Sequence, residues 1–337
     1  MTADQAPQYR VDSSRLQHFA LAYWESAALM SAVDLGVFTA LSKGAGTVET
    51  LAESIGITVT NTDRLLAVLR AMDLIHEVDG KLVNAADTQR FLVEGDRDYA
   101  GPWIQFTRPS WDKWGNLTEH LRSETESVLG MYDGLTVDGA RIYHQATYSI
   151  GVGAGRRFVR HVDLSKKRKM LDLGGGSGAY SIVATQSHPD LEAIVFDLPP
   201  VAVVAREFIE RAGVSGQVQA VGGDFTCDAF PTGVDVAVMA SNLPQYSREL
   251  IGQVVQRTFD VLIPGGQMHL IGETLNDDRN GPVGPALWAL NEALAGSTGV
   301  AHTDAECVSY FTDAGFVDVQ VHEFVKGTLT RVTGTRL

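Results

Sequence analysis

The chain has 337 residues, of which 45% are hydrophobic and 20% charged, and its formal net charge is −14. That composition suits one large or two smaller globular domains, and the acidity argues against a phosphate-rich partner. Two cysteines, Cys227 and Cys307, are too few for a disulfide framework. Residues 1–10 carry neither a basic nor a long apolar segment, so no signal peptide is expected and a cytoplasmic location is the default.

In chain order, Ser13 and Ser14 can cap a long helix that runs to Leu41. Its apolar stretch from Phe19 to Leu41 carries Glu25 and Asp34, which suits a core or dimer helix and not a membrane span. TVETLAESIG (47–56) offers a capping Thr47 and a terminal Gly56. Residues 60–75 form an amphipathic helix with Leu65, Leu66, Val68, Leu69, Met72 and Leu74 on one face. HEVDGKLVNA (76–85) reads as a hairpin turning at Asp79-Gly80. Helix, helix, hairpin is a winged-helix pattern. The boundaries predicted are 1–100 for this domain, 101–165 for an aromatic-rich helical linker that builds an acceptor pocket, and 166–337 for a third region.

From Lys167 onward apolar strands alternate with helices: 169–173, 192–198, 218–224, 234–240 and 267–273, with two more strands within 315–334. Such alternation predicts an α/β fold with a mostly parallel, doubly wound sheet. The first strand runs into LDLGGGSGAY (171–180). Its glycines let backbone approach a ligand, and the next helix offers unpaired N–H groups. The stretch fits a dinucleotide fingerprint and equally the first motif of S-adenosylmethionine-dependent methyltransferases. Asp197 ends the second strand, where a carboxylate can accept from both ribose hydroxyls. GGDF (222–225) ends the third with Asp224 and Phe225, an acid for an adenine amino group and a ring to pack on its face. A nicotinamide enzyme has no special need for that pair.

These motifs, with AALMSAVDLGVFTAL, LAESIG, LLAVLRAMDLI, IVFDLP, the PGG turn at 264–266 and AGF at 314–316, resemble the plant-type O-methyltransferases and their bacterial relatives over nearly the whole chain. The resemblance implies a seven-stranded methyltransferase domain, S-adenosylmethionine as donor, and a homodimer built through the N-terminal domain. No metal, nucleic acid or membrane partner is expected. The cofactor set it points to is Asp172, Gly174, Gly176, Asp197, Leu198, Gly223, Asp224, Phe225 and Ser241.

The chain departs from that family at SNLPQYSREL (241–250). There the family carries a His that removes a proton from the acceptor hydroxyl. Here Pro244 stands in its place, followed by Gln245 and Tyr246, and Pro has no ionisable group. The two carboxylates that flank the family's His match Glu273 and Glu306, and His302 is a candidate substitute base. A phenol, with a pKa of about 10, must lose a proton when methylated. A thioether sulfur loses none and leaves as a sulfonium, which aromatic faces and carboxylates stabilise. In length, domain plan and the missing His, the chain resembles the bacterial S-methyltransferases that convert 4-methylthio-2-hydroxybutyrate to its sulfonium on the route to dimethylsulfoniopropionate.

For the acceptor, ARIYHQATYS (140–149) offers Arg141, Tyr143, His144 and Tyr148, and Trp103, Trp288 and Asn291 complete the expected pocket. Three alternatives stand beside S-methylation. One is O- or C-methylation with His302, His144 or a glutamate as base. Another is a winged-helix DNA-binding regulator. The third is a methyltransferase fold that binds the cofactor without transfer.

Overall fold

Gly36 adopts a left-handed backbone (φ 71°) and splits the expected first helix in two. In the computed structural model, which describes residues 11–124 and 127–337, these are α1 (Ser14–Asp34) and α2 (Val37–Ser42). Residues 1–10, where no signal peptide was expected, lie outside the described residues. The Ser13 hydroxyl accepts from Gln17 Nε2 at 2.7 Å and leaves the helix N–H groups alone. Thr47 does cap α3 (Val48–Ile55), accepting from the Thr50 N–H at 3.2 Å, and Gly56 closes that helix. Thr58 caps α4 (Val59–Ala71) in the same way. α4 stops short of Ile75 because Asp73 turns to φ 60° and the chain enters β1 (Ile75–Val78). Asp79 and Gly80 both hold positive φ, the two-residue primed turn that joins β1 to β2 (Lys81–Asn84). α5 (Ala86–Phe91) and α6 (Gly101–Gln105) follow.

The chain divides into two compact units, Met1–Arg108 and Pro109–Leu337, so the division falls inside the stretch read as a linker. The core of the first unit gathers Phe38, Leu51, Leu66, Leu69 and Ile75. Leu66 and Leu69 of α4 are buried there, while Val68 stays 39% exposed. α1 differs: Leu16, Phe19, Tyr23 and Trp24 are each 57–63% exposed and recur at helical spacing on one face. Among the described residues no helix is long and apolar enough to cross a membrane.

The second unit opens with α7 (Trp111–Gly115), α8 (Leu117–Arg122) and the long α9 (Val137–His161), capped by Thr136. Then come β3 (Lys169–Leu173), α10 (Ala179–Ser187), β4 (Glu192–Asp197), α11 (Pro199–Arg211), β5 (Val218–Gly222), β6 (Val234–Ala240) and α12 (Arg248–Val261). The chain continues through β7 (Leu262–Gly272), β8 (Thr274–Leu275), α13 (Val283–Asn291), β9 (His302–Thr303), α14 (Asp304–Ala314), β10 (Val317–Val325) and β11 (Leu329–Thr335). Seven strands form one sheet in the order β10-β11-β7-β6-β3-β4-β5. Only β11 runs antiparallel to its neighbours. Alternate residues supply the two faces. Met170, Val195 and Val238 join α9, α10 and α11, while Leu171, Phe196 and Met239 join α12 and α14. β4 and β6 leave β3 on opposite sides, which opens a crevice beyond the carboxyl ends of the strands, where open α/β sheets bind ligands.

Candidate active site

The glycine loop after β3 is shaped for a close approach. Gly174 and Gly176 hold φ 60° and 58°. A Cβ on Gly174 would lie 2.7 Å from Asn242 Nδ2 and 3.0 Å from Phe225, and one on Gly176 would lie 2.6 Å from His144 Cε1. Asp197, at the end of β4, accepts from the Gly176 N–H at 2.8 Å and from the Leu198 N–H at 2.7 Å. Burial raises its pKa to about 6 against the lowering effect of those two bonds. Asn242, after β6, donates to the Ala240 carbonyl at 2.9 Å and to the Gly174 carbonyl at 3.3 Å, tying the corner to the loop. Ser241 between them adopts φ 59°, rare for a residue with a side chain.

Asp172, inside β3, accepts from Ser181 Oγ at 2.7 Å through one oxygen, while the other is buried with no partner. Burial raises its pKa to about 7. Beyond β5, the Gly223 position leaves no room for a side chain beside Phe196. Asp224 accepts from the Thr226 N–H at 2.8 Å. Phe225 is buried and meets Tyr246 edge to face with centroids 5.1 Å apart. The predicted strand-end groups, Asp172, Gly174, Gly176, Asp197, Leu198, Gly223, Asp224, Phe225 and Ser241, thus line the carboxyl ends of β3, β4, β5 and β6.

A second cluster adjoins the 243–245 turn. Gln245 Nε2 donates to the Tyr132 hydroxyl at 3.2 Å, and Tyr132 donates to the Tyr143 hydroxyl at 3.2 Å. Gln245 Oε1 is buried without a partner. Burial raises the Tyr143 pKa, and the carboxylates of Glu273, Glu292 and Asp197 push it further, so these acids share its surroundings. Burial lifts Glu273 to about 7. It raises Glu292 as well, although Ser297 donates to that carboxylate at 2.7 Å. α13, with Trp288 and Asn291, packs beside the turn that holds Pro244. Tyr132 and Glu292 were not singled out from the sequence.

Several expected site residues are placed otherwise. His302 is fully buried; its Nδ1 meets the Tyr310 hydroxyl at 2.9 Å and its Nε2 the Tyr246 carbonyl at 3.0 Å. The carbonyl only accepts, so Nε2 carries the proton and Nδ1 accepts from Tyr310. Burial lowers the ring's pKa to about 4. With both nitrogens engaged, it is a packing residue and not a poised base. Glu306 caps α14 through the Thr303 N–H and pairs with Arg248 at 2.7 Å and with Arg279. Tyr148 packs on Phe208 with centroids 4.5 Å apart, in the layer between α9 and α11. Arg141 is held by Glu207 and Asp138. His144 lies against the glycine loop, and burial lowers it to about 4, so it is neutral. Trp103 belongs to the first unit, where it stacks on Phe106. Among the described residues no group of three or more His, Cys, Asp or Glu could hold a metal.

Residues 138–317 match the family model of the O-methyltransferase domain, and residues 17–93 match that of the O-methyltransferase dimerisation domain. The chain is 31% identical to 3-hydroxy-5-methyl-1-naphthoate 3-O-methyltransferase of Streptomyces sahachiroi, over 92% of this chain and 91% of that one. It is 28% identical to L-tyrosine C(3)-methyltransferase of Streptomyces lavendulae, over 86% and 82%. Its fold matches the crystal structure of human N-acetylserotonin methyltransferase in complex with S-adenosylmethionine, with a TM-score of 0.80, 23% identity and coverage of 98% and 99%. With the glycine loop, the strand-end acids and the seven-stranded sheet in place, the chain belongs to the O-methyltransferase family of S-adenosylmethionine-dependent methyltransferases.

Proposed function

We propose that this enzyme methylates a small acceptor at an atom that carries no proton, a thioether sulfur, and that the acceptor is 4-methylthio-2-hydroxybutyrate. One observation carries the reading. The position of the family's base is Pro244, and two of the candidate substitutes, His302 and Glu306, are engaged in packing and ion pairing. The family fold itself does not dictate the acceptor atom, since similar chains are named for transfer to oxygen and to carbon.

S-adenosylmethionine supplies an electrophilic methyl group. Its amino acid end suits the unpartnered oxygen of Asp172, which can take an ammonium; its ribose suits the remaining lone pairs of Asp197; its adenine suits Asp224 and Phe225. In the transfer, an acceptor sulfur lone pair forms the new S–C bond as the donor's S–C bond breaks, and no proton leaves. The positive charge that appears on the acceptor meets Tyr143, Tyr246, Glu273 and Glu292, rings and carboxylates of the kind that stabilise a sulfonium.

A second reading has its own support. Glu273, raised to about 7, is matched to accepting a hydroxyl proton near neutral pH, and the naphthoate relative is named as an O-methyltransferase. The two readings differ in stoichiometry: oxygen methylation releases one proton per turnover and thioether methylation none. Labelled S-adenosylmethionine with a panel of thioethers, phenols and keto acids identifies the acceptor. Proton release is then followed with an indicator dye in weak buffer. Label in a thioether without acidification is the expected result; label in a phenol with stoichiometric acidification selects the oxygen reading.

A further inference from the structure

The edge strand β10, its neighbour β11 and the last turn of α9 border an open pocket of about 510 Å³ lined by His161, Val321, His322, Glu323, Phe324 and Arg331. β10 and β11 carry no group of the catalytic crevice, and α9 reaches it through Tyr143 and His144, far along the helix from His161. Arg331 is only 8% exposed, and a guanidinium so deep in protein is expensive without an opposing charge. Its hydrogen-bond partner among the described residues is the ring of His269, with Nη1 to Nδ1 at 3.3 Å. Arginine can only donate, so His269 Nδ1 accepts and the proton sits on Nε2. That Nε2–H is itself buried without a partner, as is Nε of Arg157, whose guanidinium lies over the Phe324 ring at 5.8 Å.

His322 stands directly across from Arg331 in the β10–β11 register, and His161 closes the pocket from α9. Arg331, which lines the pocket, has no carboxylate partner among the described residues, and the unpaired His269 Nε2–H and Arg157 Nε–H beside it are donors as well. The lining contains one acid, Glu323, which accepts from the Gly327 N–H at 3.3 Å and does not pair with Arg331. A ligand that completes such a corner brings negative charge and several acceptor atoms in a small volume.

We propose that this pocket binds a small oxyanion, a phosphate or carboxylate group held by Arg331 and His322 with His161 at the mouth. Glu323 opposes the ligand's charge and keeps the affinity low, so that the site responds to concentration and is not permanently filled. Arg331 supplies the charge-assisted bonds, and His322, in its neutral form, supplies one further donor.

The test is a titration of the full-length protein with inorganic phosphate at constant ionic strength and pH 7, following the imidazole proton resonances of the histidines. A His322→Gln variant identifies the His322 signal and is expected to weaken binding. The signals of His322 and His161 should move along one saturable curve that sulfate and acetate compete for. Arg331→Met should weaken binding by roughly 10- to 100-fold, the worth of a charge-assisted hydrogen bond. Glu323→Gln should tighten it, and this variant needs no loss of a buried cation. S-adenosylmethionine should leave the curve unchanged. A linear, unsaturable drift would overturn the proposal. So would an unchanged curve in Arg331→Met, competition by S-adenosylmethionine, or weaker binding in Glu323→Gln.

Discussion

His302 shows how a residue type can point one way and its surroundings another. An imidazole near the acceptor corner suits a relocated base, yet both of its nitrogens are spent holding Tyr246 and Tyr310 in place. His302→Gln should therefore cost about 1–3 kcal/mol of stability, the range for a buried polar group left unpaired, as read by urea unfolding. Single-turnover methyl transfer should fall far less than the roughly 10²–10⁴-fold that follows loss of a general base. A loss of that size with stability intact would reinstate His302 as the base. Asp172 makes a pH prediction. Its folded pKa of about 7 lies above the unfolded value of 3.8, so the folded state holds the extra proton and stability falls as pH rises through that window. His144 and His302, lowered to about 4, act in the opposite sense and lose stability as pH falls from about 6.5 toward 4. The Asp172 contribution is isolated by Asp172→Asn. Without S-adenosylmethionine, this variant should gain on the wild type by about 2–3 kcal/mol between pH 5 and pH 8. A constant gap between the two unfolding curves would show that the orphaned oxygen is satisfied.

Elements differ in how much of themselves they declare in sequence. β3, β4 and β6 are buried on both faces and appear as short apolar runs, so their ends, and with them Asp172, Asp197 and the corner after Ala240, were legible. The hairpin was legible from Asp79-Gly80, because few dipeptides tolerate two positive φ angles in succession. The break at Gly36 was not, since an isolated glycine within an apolar stretch looks the same whether it ends a helix or packs inside one. Tyr132 and Glu292 were missed for another reason: each reaches the acceptor cluster from a short 3-10 turn with no spacing rule that ties it to Gln245 or Tyr143. Tyr148 was misplaced because a tyrosine on α9 can face the crevice or α11, and only packing on Phe208 decides. α1 carries its own prediction. Leu16, Phe19, Tyr23 and Trp24 make an exposed apolar face on the unit matched to a dimerisation domain. Burying each in a second copy would gain about 1.5–3 kcal/mol. Phe19→Glu with Trp24→Glu should turn a homodimer into monomers in sedimentation, and a wild-type chain that sediments as an active monomer would count against this face.

At the scale of the whole molecule, charge decides between an enzyme and a regulator. The winged-helix arrangement of the first unit is one that DNA-binding proteins use, and its hairpin and α4 are in place. Shape alone, however, does not neutralise phosphates. Residues 1–110 hold nine Lys and Arg against fourteen Asp and Glu, within a chain of net charge −14. The two arginines of α4 are committed locally: Arg64 donates to Asn61 at 3.0 Å and Arg70 pairs with Glu77 at 2.9 Å. Non-specific DNA affinity rises with the number of phosphates a surface neutralises, and each contact adds about 0.9 to the slope of log affinity against log salt. A surface of net negative charge whose recognition-helix cations are Arg64 and a paired Arg70 offers little of either term. Fluorescence anisotropy with short labelled duplexes at low salt should therefore show no binding up to the protein concentrations at which S-adenosylmethionine saturates. Saturable binding whose affinity falls steeply with added salt would mean that the cations of this unit rearrange onto phosphate. The winged helix would then have to be read as a recognition element instead of a scaffold for pairing two copies of the enzyme.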